Sequence, residues 1–303
     1  MIYTVTLNPA IDYYLEMNEF IEGNLNSLKN GYTLPGGKGI NVSKVLKNFG
    51  VPSTALGFVG GFTGAYIKKN VSNYEIIEKF IDIKENTRIN IKMKTQKSES
   101  EIAGMSPNIS TLEYEQFLKT IECIQENDIL VLSGSVPTSL NKNIYKKIID
   151  ILPENVKVIL DTRGKPLQFS LCEKVFLVKP NKDEIEEFFN EKYQNEKELI
   201  EAGKKLRTLG AENVIISLGK EGSILISEKG IYKGGVPQGK LISSVGAGDS
   251  MVSGLLYGLY LNKDIVEAYR YAIASGSSTA FSKGLTTFED MNNLLTDIEI
   301  HKI

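Results

Sequence analysis

The stretch Ser-Val-Gly-Ala-Gly-Asp-Ser, at residues 244–250, stands directly before an apolar run that begins at Met251. This run repeats with the period of a helix, at Val252, Leu255, Leu256 and Leu259. We therefore predict a buried helix that begins at or just before Asp249. A helix start preceded by glycines offers backbone N–H groups and a partial positive charge, which together attract anions such as phosphate. Asp249 is then either the cap of this helix or a catalytic base beside an anion-binding site.

The composition is that of an ordinary globular protein. The chain has 303 residues, of which 42% are hydrophobic and 24% charged, enough for one large α/β domain or two smaller ones. A formal net charge of −2 gives no electrostatic attraction to nucleic acid or to an anionic membrane, and no apolar run approaches the length of a membrane span. The first residues lack the features of a signal peptide, so we expect a cytoplasmic protein in which Cys123 and Cys172 are free thiols.

The only histidine of the chain is His301. A single histidine so close to the C-terminus argues against Ser-His-Asp and Cys-His catalysis, histidine-based metal sites and a histidine base for hydride transfer. Proton transfer would then fall to carboxylates, lysine or tyrosine. The glycine spacings also match neither a dinucleotide-binding fingerprint nor a Walker A loop.

Apolar segments alternate with helical segments along most of the chain. We predict strands at residues 2–7, 53–59, 129–132, 156–160, 175–178 and 214–216, a hairpin at 224–226 and 231–232, and helices at 111–126, 141–151 and 196–209. Polar or glycine residues follow many of these strands, among them Asp12, Ser133-Gly134-Ser135, Asp161-Thr162, Lys179-Pro180-Asn181 and Ser217-Leu218-Gly219. In a mostly parallel sheet these strand ends share one edge, where α/β proteins bind their ligands.

A second glycine-rich helix start lies at residues 35–41, which read Pro-Gly-Gly-Lys-Gly-Ile-Asn. We predict that the helix continues to Gly50, which supplies its C-terminal stop. The paired glycines permit a close approach of the backbone to a ligand, and Lys38 and Asn41 lie three residues apart on one face. Taken alone, the segment is equally consistent with a structural strand–helix turn.

Two segments break the alternation of strands and helices. Residues 13–34 are predicted to be irregular or edge-like. Residues 87–95 alternate, with Ile89, Ile91 and Met93 on one face and with Arg88, Asn90, Lys92 and Lys94 on the other. This pattern predicts a half-buried antiparallel strand with a polar, basic outer side, which could also be a plain solvated surface. We expect the two segments to form a small sheet that covers the ligand cleft.

The predicted edge offers acids, amides, a few basic residues and many glycines, and phosphoryl transfer suits this set. Its catalysis consists mostly of positioning and of electrostatic stabilisation of the transferring group. Asp249 would accept the proton of an attacking hydroxyl, while the N–H groups of Gly246 to Asp249 would hold the developing negative charge. Asn181 and Glu184 carry oxygen donors suited to a magnesium ion, reached through water.

The chain resembles the PfkB (ribokinase-like) sugar kinases, and among them the branch of the 1-phosphofructokinases and tagatose-6-phosphate kinases. The resemblance covers almost the whole chain and is carried by motifs in a specific order and spacing: Asn8-Pro9-Ala10-Ile11-Asp12, Gly36-Gly37-Lys38-Gly39-Ile40-Asn41-Val42, Gly60-Gly61-Phe62-Thr63-Gly64, Thr87-Arg88-Ile89-Asn90-Ile91-Lys92, Ser133-Gly134-Ser135-Val136-Pro137, Lys179-Pro180-Asn181, Ser217-Leu218-Gly219 and the 244–250 stretch.

The resemblance implies a three-layer α/β/α fold with a mostly parallel central sheet. It implies one kinase domain over residues 1–303, with a discontinuous β lid from about 13–35 and 87–104 that pairs with the lid of a second subunit in a homodimer. The implied cofactors are ATP and Mg²⁺, and the requirement for a monovalent cation stays open. The implied reaction is phosphorylation of a ketohexose phosphate. Fructose 1-phosphate is favoured, and tagatose 6-phosphate and fructose 6-phosphate are the alternatives.

The resemblance also implies roles for individual residues. Asp249 is the general base, and the anion hole consists of Gly246, Ala247 and Gly248. The sugar hydroxyls are held by Asp12, Gly36, Gly37, Lys38 and Asn41, and the phosphate already on the substrate by Arg88 and Ser135. Lys179, Asn181 and Glu184 serve Mg-ATP, with Ser217, Gly219 and Gly222 lining the nucleotide pocket together with Gly246 and Gly248.

Two departures from the family pattern affect the substrate end. Many relatives carry an arginine where this chain has Ser27, with Lys29 nearby, and a Gly-Pro-Gly-Pro-like run where this chain reads Gly104-Met105-Ser106-Pro107. Two functions of other classes also remain open, a non-catalytic sugar-phosphate sensor and a nucleotide-dependent oxidoreductase. Retention of Asp249 together with Asn181 and Glu184 argues against a sensor, because a sensor needs no base.

Overall fold

The computed structural model describes residues 1–171 and 175–303, so Cys172 lies outside the described residues. The described part of the chain has strands β1 (Ile2–Thr6), β2 (Ala10–Glu16), β3 (Asn30–Gly36), β4 (Ser53–Gly60), β5 (Ile77–Ile83), β6 (Arg88–Lys94), β7 (Glu99–Ile102), β8 (Ile129–Ser133), β9 (Lys157–Asp161), β10 (Val175–Val178), β11 (Ala211–Ser217), β12 (Ser223–Ser227), β13 (Gly230–Gly234) and β14 (Ile300–Lys302). Its helices are α1 (Lys38–Asn48), α2 (Gly61–Asn73), α3 (Thr111–Ile121), α4 (Ile144–Asp150), α5 (Gly164–Ser170), α6 (Lys182–Phe189), α7 (Glu196–Thr208), α8 (Ala247–Tyr260), α9 (Ile265–Ala280) and α10 (Phe288–Leu294).

The large sheet is mostly parallel, as predicted. Its strand order is β14-β13-β12-β11-β10-β9-β8-β1-β4-β5, and the strands from β11 to β5 pair in parallel, whereas β12, β13 and β14 add antiparallel edge strands. The hairpin predicted at 224–226 and 231–232 is formed by β12 and β13. The chain leaves β1 toward β4 on one side and later adds β8 on the other, with Thr6 in register with Ser133. Such a switch point opens a crevice at the carboxyl ends of the strands.

Helices cover both faces of this sheet and complete a three-layer α/β/α fold. Successive strand residues point to opposite faces, so Leu130 and Leu132 pack toward α3 to α7 while Val131 packs toward α1, α8, α9 and α10. Both faces therefore exclude water, which accounts for the continuous apolar composition of these strands. No helix of the described residues is long and apolar enough to cross a membrane.

The small sheet has the strand order β3-β2-β6-β7. Residues 13–34 are predicted to be irregular or edge-like, and the second alternative is confirmed for β3, which is an edge strand of this sheet. The first alternative is wrong for the ends of the segment, because β2 and β3 pair antiparallel over seven positions. The expectation that the two segments form one small sheet is confirmed. The strand at 87–95 forms as β6, but its pairing with β2 is parallel, and only its pairing with β7 is antiparallel. Sequence alternation shows that a strand has two faces, whereas the direction of pairing depends on distant partners.

The outward face of β6 is also the reverse of the prediction. Asn90, on the polar face, is 7% exposed, whereas Ile89, on the apolar face, is 41% exposed. The polar face looks into the cavity described below, because Arg88 and Lys92 line it. These polar side chains can be buried at little cost because they face the cavity or bond to polar neighbours, as Asn90 does to Asp12, rather than a hydrocarbon core.

Two helices are shorter than predicted. The helix predicted at 111–126 ends at Ile121, and the one predicted at 141–151 runs only from Ile144 to Asp150. Beyond Ile121, Asn127 adopts a left-handed conformation (φ 66°) and the Asp128 carboxylate accepts a hydrogen bond from the Gln125 N–H at 2.9 Å. These local interactions turn the chain into β8.

Candidate active site

A cavity of about 1280 Å³ lies at the carboxyl edge of the large sheet and continues beneath the small sheet. It is lined by nearly all of the predicted site residues: Asp12, Gly37, Lys38, Asn41, Arg88, Ser135, Lys179, Asn181, Glu184, Ser217, Gly219, Gly222, Gly246, Ala247, Gly248 and Asp249. Gly36 is the exception, since it lies behind the lining against Asp12. The structure thus brings residues from seven separate stretches of sequence to one place.

Asp249 is the third residue of α8 and is only 7% exposed. Its carboxylate does not cap the helix, because Gly246 occupies the N-cap position without a side-chain hydrogen bond. Instead, Asp249 Oδ2 accepts a hydrogen bond from Asn41 Nδ2 at 2.8 Å. Burial, followed by the negative charge of Asp161, raises the pKa of Asp249 to about 6. A carboxylate with this pKa is ionised at neutral pH and is a stronger base than an exposed one.

The start of α8 has the geometry of an anion-binding site. Gly246 has φ 80°, a conformation that favours glycine, and its carbonyl accepts the first helical hydrogen bond from the Ser250 N–H at 2.9 Å. The N–H groups of a first helical turn lack intrahelical acceptors, and they lie at the positive end of the helix dipole. A Cβ on Gly248 would stand 3.1 Å from Lys179 Nζ, so an ammonium group lies beside these N–H groups. Both features favour a negatively charged ligand.

Asp12 marks the part of the cavity beneath the small sheet. Its Oδ1 accepts a hydrogen bond from Asn90 Nδ2 at 2.8 Å, and burial raises its pKa above the ordinary value for an aspartate. Gly36 lies directly against this carboxylate, where a Cβ would be 2.3 Å from Asp12 Oδ2. Only glycine leaves room for Asp12 at this point. Asn90, which orients the Asp12 carboxylate, had no predicted role.

Arg88 and Ser135 meet at the same end of the cavity through Asn8. Arg88 Nη2 donates to the Asn8 carbonyl at 3.1 Å, and Asn8 Nδ2 donates to Ser135 Oγ at 3.1 Å and to Ser106 Oγ at 2.9 Å. Arg88 Nε and Asn8 Oδ1 are buried and have no hydrogen-bond partner within the protein. An unsatisfied guanidinium donor beside hydroxyl groups is suited to a phosphate. Asn8 lines the cavity although the sequence predicts no site role for it, and Ser106 supports Asn8 from outside the lining.

Asn181 and Glu184 form a capping box at the start of α6. Asn181 N donates to Glu184 Oε2 at 2.9 Å, and Glu184 N donates to Asn181 Oδ1 at 2.8 Å. Glu184 Oε1 lies 3.9 Å from Lys38 Nζ at the cavity wall. No cluster of three acidic, histidine or cysteine residues that could enclose a metal occurs among residues 1–171 and 175–303. This donor set fits a magnesium ion that keeps most of its own water ligands.

The turn between β11 and β12 completes the cavity wall next to α6. Ser217 N donates to the Pro180 carbonyl at 3.0 Å, which ties this turn to the segment that holds Asn181. Gly219 and Gly222 have φ 59° and 88°, values that favour glycine and bend the chain sharply around the opening. Neither glycine places a side chain in this part of the cavity, which both line.

Asp161, at the end of β9, was noted in the sequence only as a polar strand end. Its Oδ1 lies 2.9 Å from Lys38 Nζ and 3.5 Å from Lys179 Nζ. Burial alone would raise the pKa of Asp161, but the charges of Lys179 and Lys38 outweigh burial and lower it. In the sequence, Asp161 stands out only as an aspartate directly after an apolar strand. That pattern does not identify Lys38 and Lys179 as its partners, because both are distant in sequence.

The fold and the cavity are those of an α/β protein with a buried aspartate beside a glycine-rich helix start. Residues 4–291 match the family model described as pfkB family carbohydrate kinase. The chain belongs to this family, and it is a carbohydrate kinase.

Three known proteins illustrate the similarity. The 1-phosphofructokinase of Bacillus subtilis is 44% identical over 304 aligned positions, which cover the whole of both chains. The crystal structure of a putative phosphofructokinase from Staphylococcus aureus has a TM-score of 0.88 and 39% identity, and covers 100% of this chain and 99% of that one. Phosphofructokinase-2 from Escherichia coli, solved in complex with potassium, has a TM-score of 0.91 and 26% identity over 97% of this chain and 98% of that one.

Proposed function

We propose that the protein is an ATP-dependent 1-phosphofructokinase, which converts fructose 1-phosphate and ATP into fructose 1,6-bisphosphate and ADP. The observation that carries the proposal is the buried Asp249 carboxylate beside the start of α8. It lies in the same cavity as Arg88 at one end and Asn181 at the other. This placement allows a hydroxyl from one end of the cavity and a phosphoryl group from the other to meet at Asp249.

In the proposed step, Asp249 accepts the proton of the 6-hydroxyl as that oxygen attacks the γ-phosphorus of ATP. The new O–P bond forms while the bond to the β,γ-bridging oxygen breaks, and ADP leaves with that electron pair. Asn41 orients the Asp249 carboxylate through its 2.8 Å hydrogen bond. The N–H groups of residues 246–249 and the Lys179 ammonium stabilise the negative charge on the transferring group.

The two ends of the cavity divide the substrates between them. At the sugar end, Asp12, Gly37, Lys38 and Asn41 hold the hydroxyl groups, with Gly36 leaving room for the Asp12 carboxylate, while Arg88 and Ser135 bind the phosphate that the sugar already carries. At the nucleotide end, Asn181 and Glu184 hold the hydrated Mg²⁺, which neutralises the ATP phosphates when bound. Lys179, Ser217, Gly219, Gly222, Gly246 and Gly248 line the nucleotide pocket.

The preference for fructose 1-phosphate rests on the relative from Bacillus subtilis, because 44% identity over the full length spans every stretch that lines the cavity. A monovalent cation belongs to the same proposal, on the likeness to the Escherichia coli protein solved with potassium. Potassium chloride should therefore raise the rate of phosphorylation more than an equal concentration of tetramethylammonium chloride. Equal rates in the two salts would remove the cation from the proposal.

We also propose that residues 1–303 form one kinase domain in which the small sheet, from about 13–35 and 87–104, is a lid that pairs with the lid of a second copy. The face of this sheet turned away from the cavity is apolar, and it exposes Tyr13, Ile89 and Ile102. Exposed apolar surface of this kind is costly in water and is removed by dimerisation.

Replacement of Asp249 by Asn tests the catalytic part of the proposal. Asp249→Asn should lower kcat for fructose 1-phosphate by about 100-fold or more, because the amide cannot accept the proton. The matched control is Asp264→Asn, which alters the aspartate that caps α9 by accepting hydrogen bonds from Val266 N and Glu267 N. Asp264→Asn should keep kcat. Near-normal turnover by Asp249→Asn would refute the proposed mechanism.

A further inference from the structure

A buried carboxylate lies behind the cavity wall and is shared by two lysines. Asp161 is 1% exposed, and its Oδ1 contacts Lys38 Nζ at 2.9 Å and Lys179 Nζ at 3.5 Å. Its other oxygen, Oδ2, is buried without a hydrogen-bond partner. Both lysines line the cavity, whereas Asp161 does not. The carboxylate therefore faces the protein interior and holds the two ammonium groups at the cavity surface.

The two lysines come from different elements and reach the cavity from different sides. Lys38 is the first residue of α1, one turn before Asn41, which bonds to Asp249. Lys179 follows β10, and its Nζ lies 3.1 Å from the position that a Cβ on Gly248 would take. The ammonium groups thus converge on the space between Asp249, Glu184 and the first turn of α8.

Asp161 is paired with more lysines than a structural ion pair requires. A buried carboxylate must be paired to offset its desolvation, and one lysine would neutralise it. Lys38 also faces Glu184, whose Oε1 lies 3.9 Å from its Nζ, and Asp249, so the two ammonium groups balance part of the negative charge of these carboxylates at the cavity wall. Both ammonium groups lie beside the point where the proposed reaction builds up negative charge on the transferring phosphoryl group, where a fixed cation lowers the barrier.

We propose that Asp161 is a positioning residue for phosphoryl transfer, because it fixes the Lys38 and Lys179 ammonium groups against the group in transfer. This inference rests on the proposed function. It changes the role of Lys38, which acts on the phosphoryl group as well as on the sugar hydroxyls. It also adds to the site a residue that touches neither substrate.

The test compares Asp161→Asn with Asp128→Asn in the full-length protein. Asn keeps the size of the side chain at position 161 but removes its charge, so the lysines lose their shared anchor. We expect kcat to fall about tenfold or more while KM for ATP and for fructose 1-phosphate changes less than about threefold. Asp128 is a matched buried aspartate directly before β8, at the other edge of the sheet, where it accepts hydrogen bonds from the Gln125 N–H and the N-terminal ammonium. Asp128→Asn should lower the melting temperature and keep kcat.

Lys38→Met provides a second variant if Asp161→Asn does not fold. It leaves Asp161 paired with Lys179 and should also lower kcat about tenfold. In the variant that combines Asp161→Asn with Lys38→Met, the fall in kcat should be smaller than the product of the two single falls, because Asp161 acts partly through Lys38. A kcat within twofold of the wild type in both single variants, or a loss confined to KM, would overturn the inference.

The slow hydrolysis of ATP by water separates this inference from the proposed function. If the wild type does not phosphorylate fructose 1-phosphate, the proposed function fails. Slower ATP hydrolysis by Asp161→Asn, with Asp128→Asn unchanged, would still support the positioning role, since water replaces the sugar as acceptor. Equal hydrolysis by all three proteins would contradict it.

Discussion

Burial changes what the Asp249 carboxylate can do. A solvated aspartate is a weak base, but exclusion of water and the nearby Asp161 charge raise the pKa of Asp249 to about 6. Lys38, the Asn41 hydrogen bond and Lys179 act in the opposite direction and keep the side chain ionised at neutral pH. Asp249 therefore combines a high proton affinity with the deprotonated state that a general base needs.

This pKa predicts the acid side of the activity profile. A base must be deprotonated to act, so activity should be half-maximal near pH 6, should approach its maximum about one pH unit above that, and should fall about tenfold per pH unit well below it. The measurement is kcat/KM for fructose 1-phosphate between pH 4.5 and 8 at constant ionic strength. The midpoint of the acid limb should lie within about one pH unit of 6.

A phosphate group also titrates near pH 6, so a variant is needed to assign the transition. Asn41→Leu removes a hydrogen bond that lowers the Asp249 pKa, and it should move the acid limb to higher pH. Ionisation of the substrate would not move with this variant. An unmoved limb, or a wild-type limb near pH 4, would assign the transition to another group.

At the scale of elements, the sequence predicts best what local periodicity determines. The apolar spacing after the 244–250 stretch predicts a helix that begins at or just before Asp249, and α8 begins at Ala247. The glycine-rich start before Lys38 opens α1, and the predicted parallel strands fall in one sheet. In each of these cases the apolar spacing and the glycine that bounds it lie within a few residues of one another.

The small sheet was harder to predict, because its strands depend on distant partners. β2 and β3 are separated by an irregular segment of mixed polar and apolar residues at 17–29, and their alternation is broken by tyrosine and asparagine residues. The burial of Arg88 and Asn90 follows from the cavity beneath them, which no local pattern encodes. The role of Asp161 cannot be predicted from sequence for the same reason, since Lys38 and Lys179 are brought to it only by the assembled sheet.

At the scale of the whole molecule, the proposed lid makes a prediction about assembly. The wild type should have the mass of two chains by light scattering after size exclusion. In a single chain, Ile89 on the apolar outer face of the small sheet is 41% exposed, and dimerisation would cover it. Ile89→Lys places a charge on this face and should give the mass of one chain.

A control separates this face from exposed apolar residues in general. Leu209, after the end of α7, is 46% exposed, and Leu209→Lys should leave the dimer intact. A monomeric wild type, or an Ile89→Lys variant that stays dimeric, would show that the outer face of the small sheet is not the dimer interface.

The central claim is that this cavity transfers the γ-phosphoryl group of ATP to fructose 1-phosphate. The most direct test measures kcat/KM with Mg-ATP for fructose 1-phosphate, tagatose 6-phosphate, fructose 6-phosphate and ribose on one preparation, with identification of the product. Fructose 1-phosphate should exceed each of the others by about tenfold or more and should yield fructose 1,6-bisphosphate. A higher kcat/KM for another sugar would contradict the proposed substrate, and no phosphoryl transfer to any of the four would contradict the account as a whole.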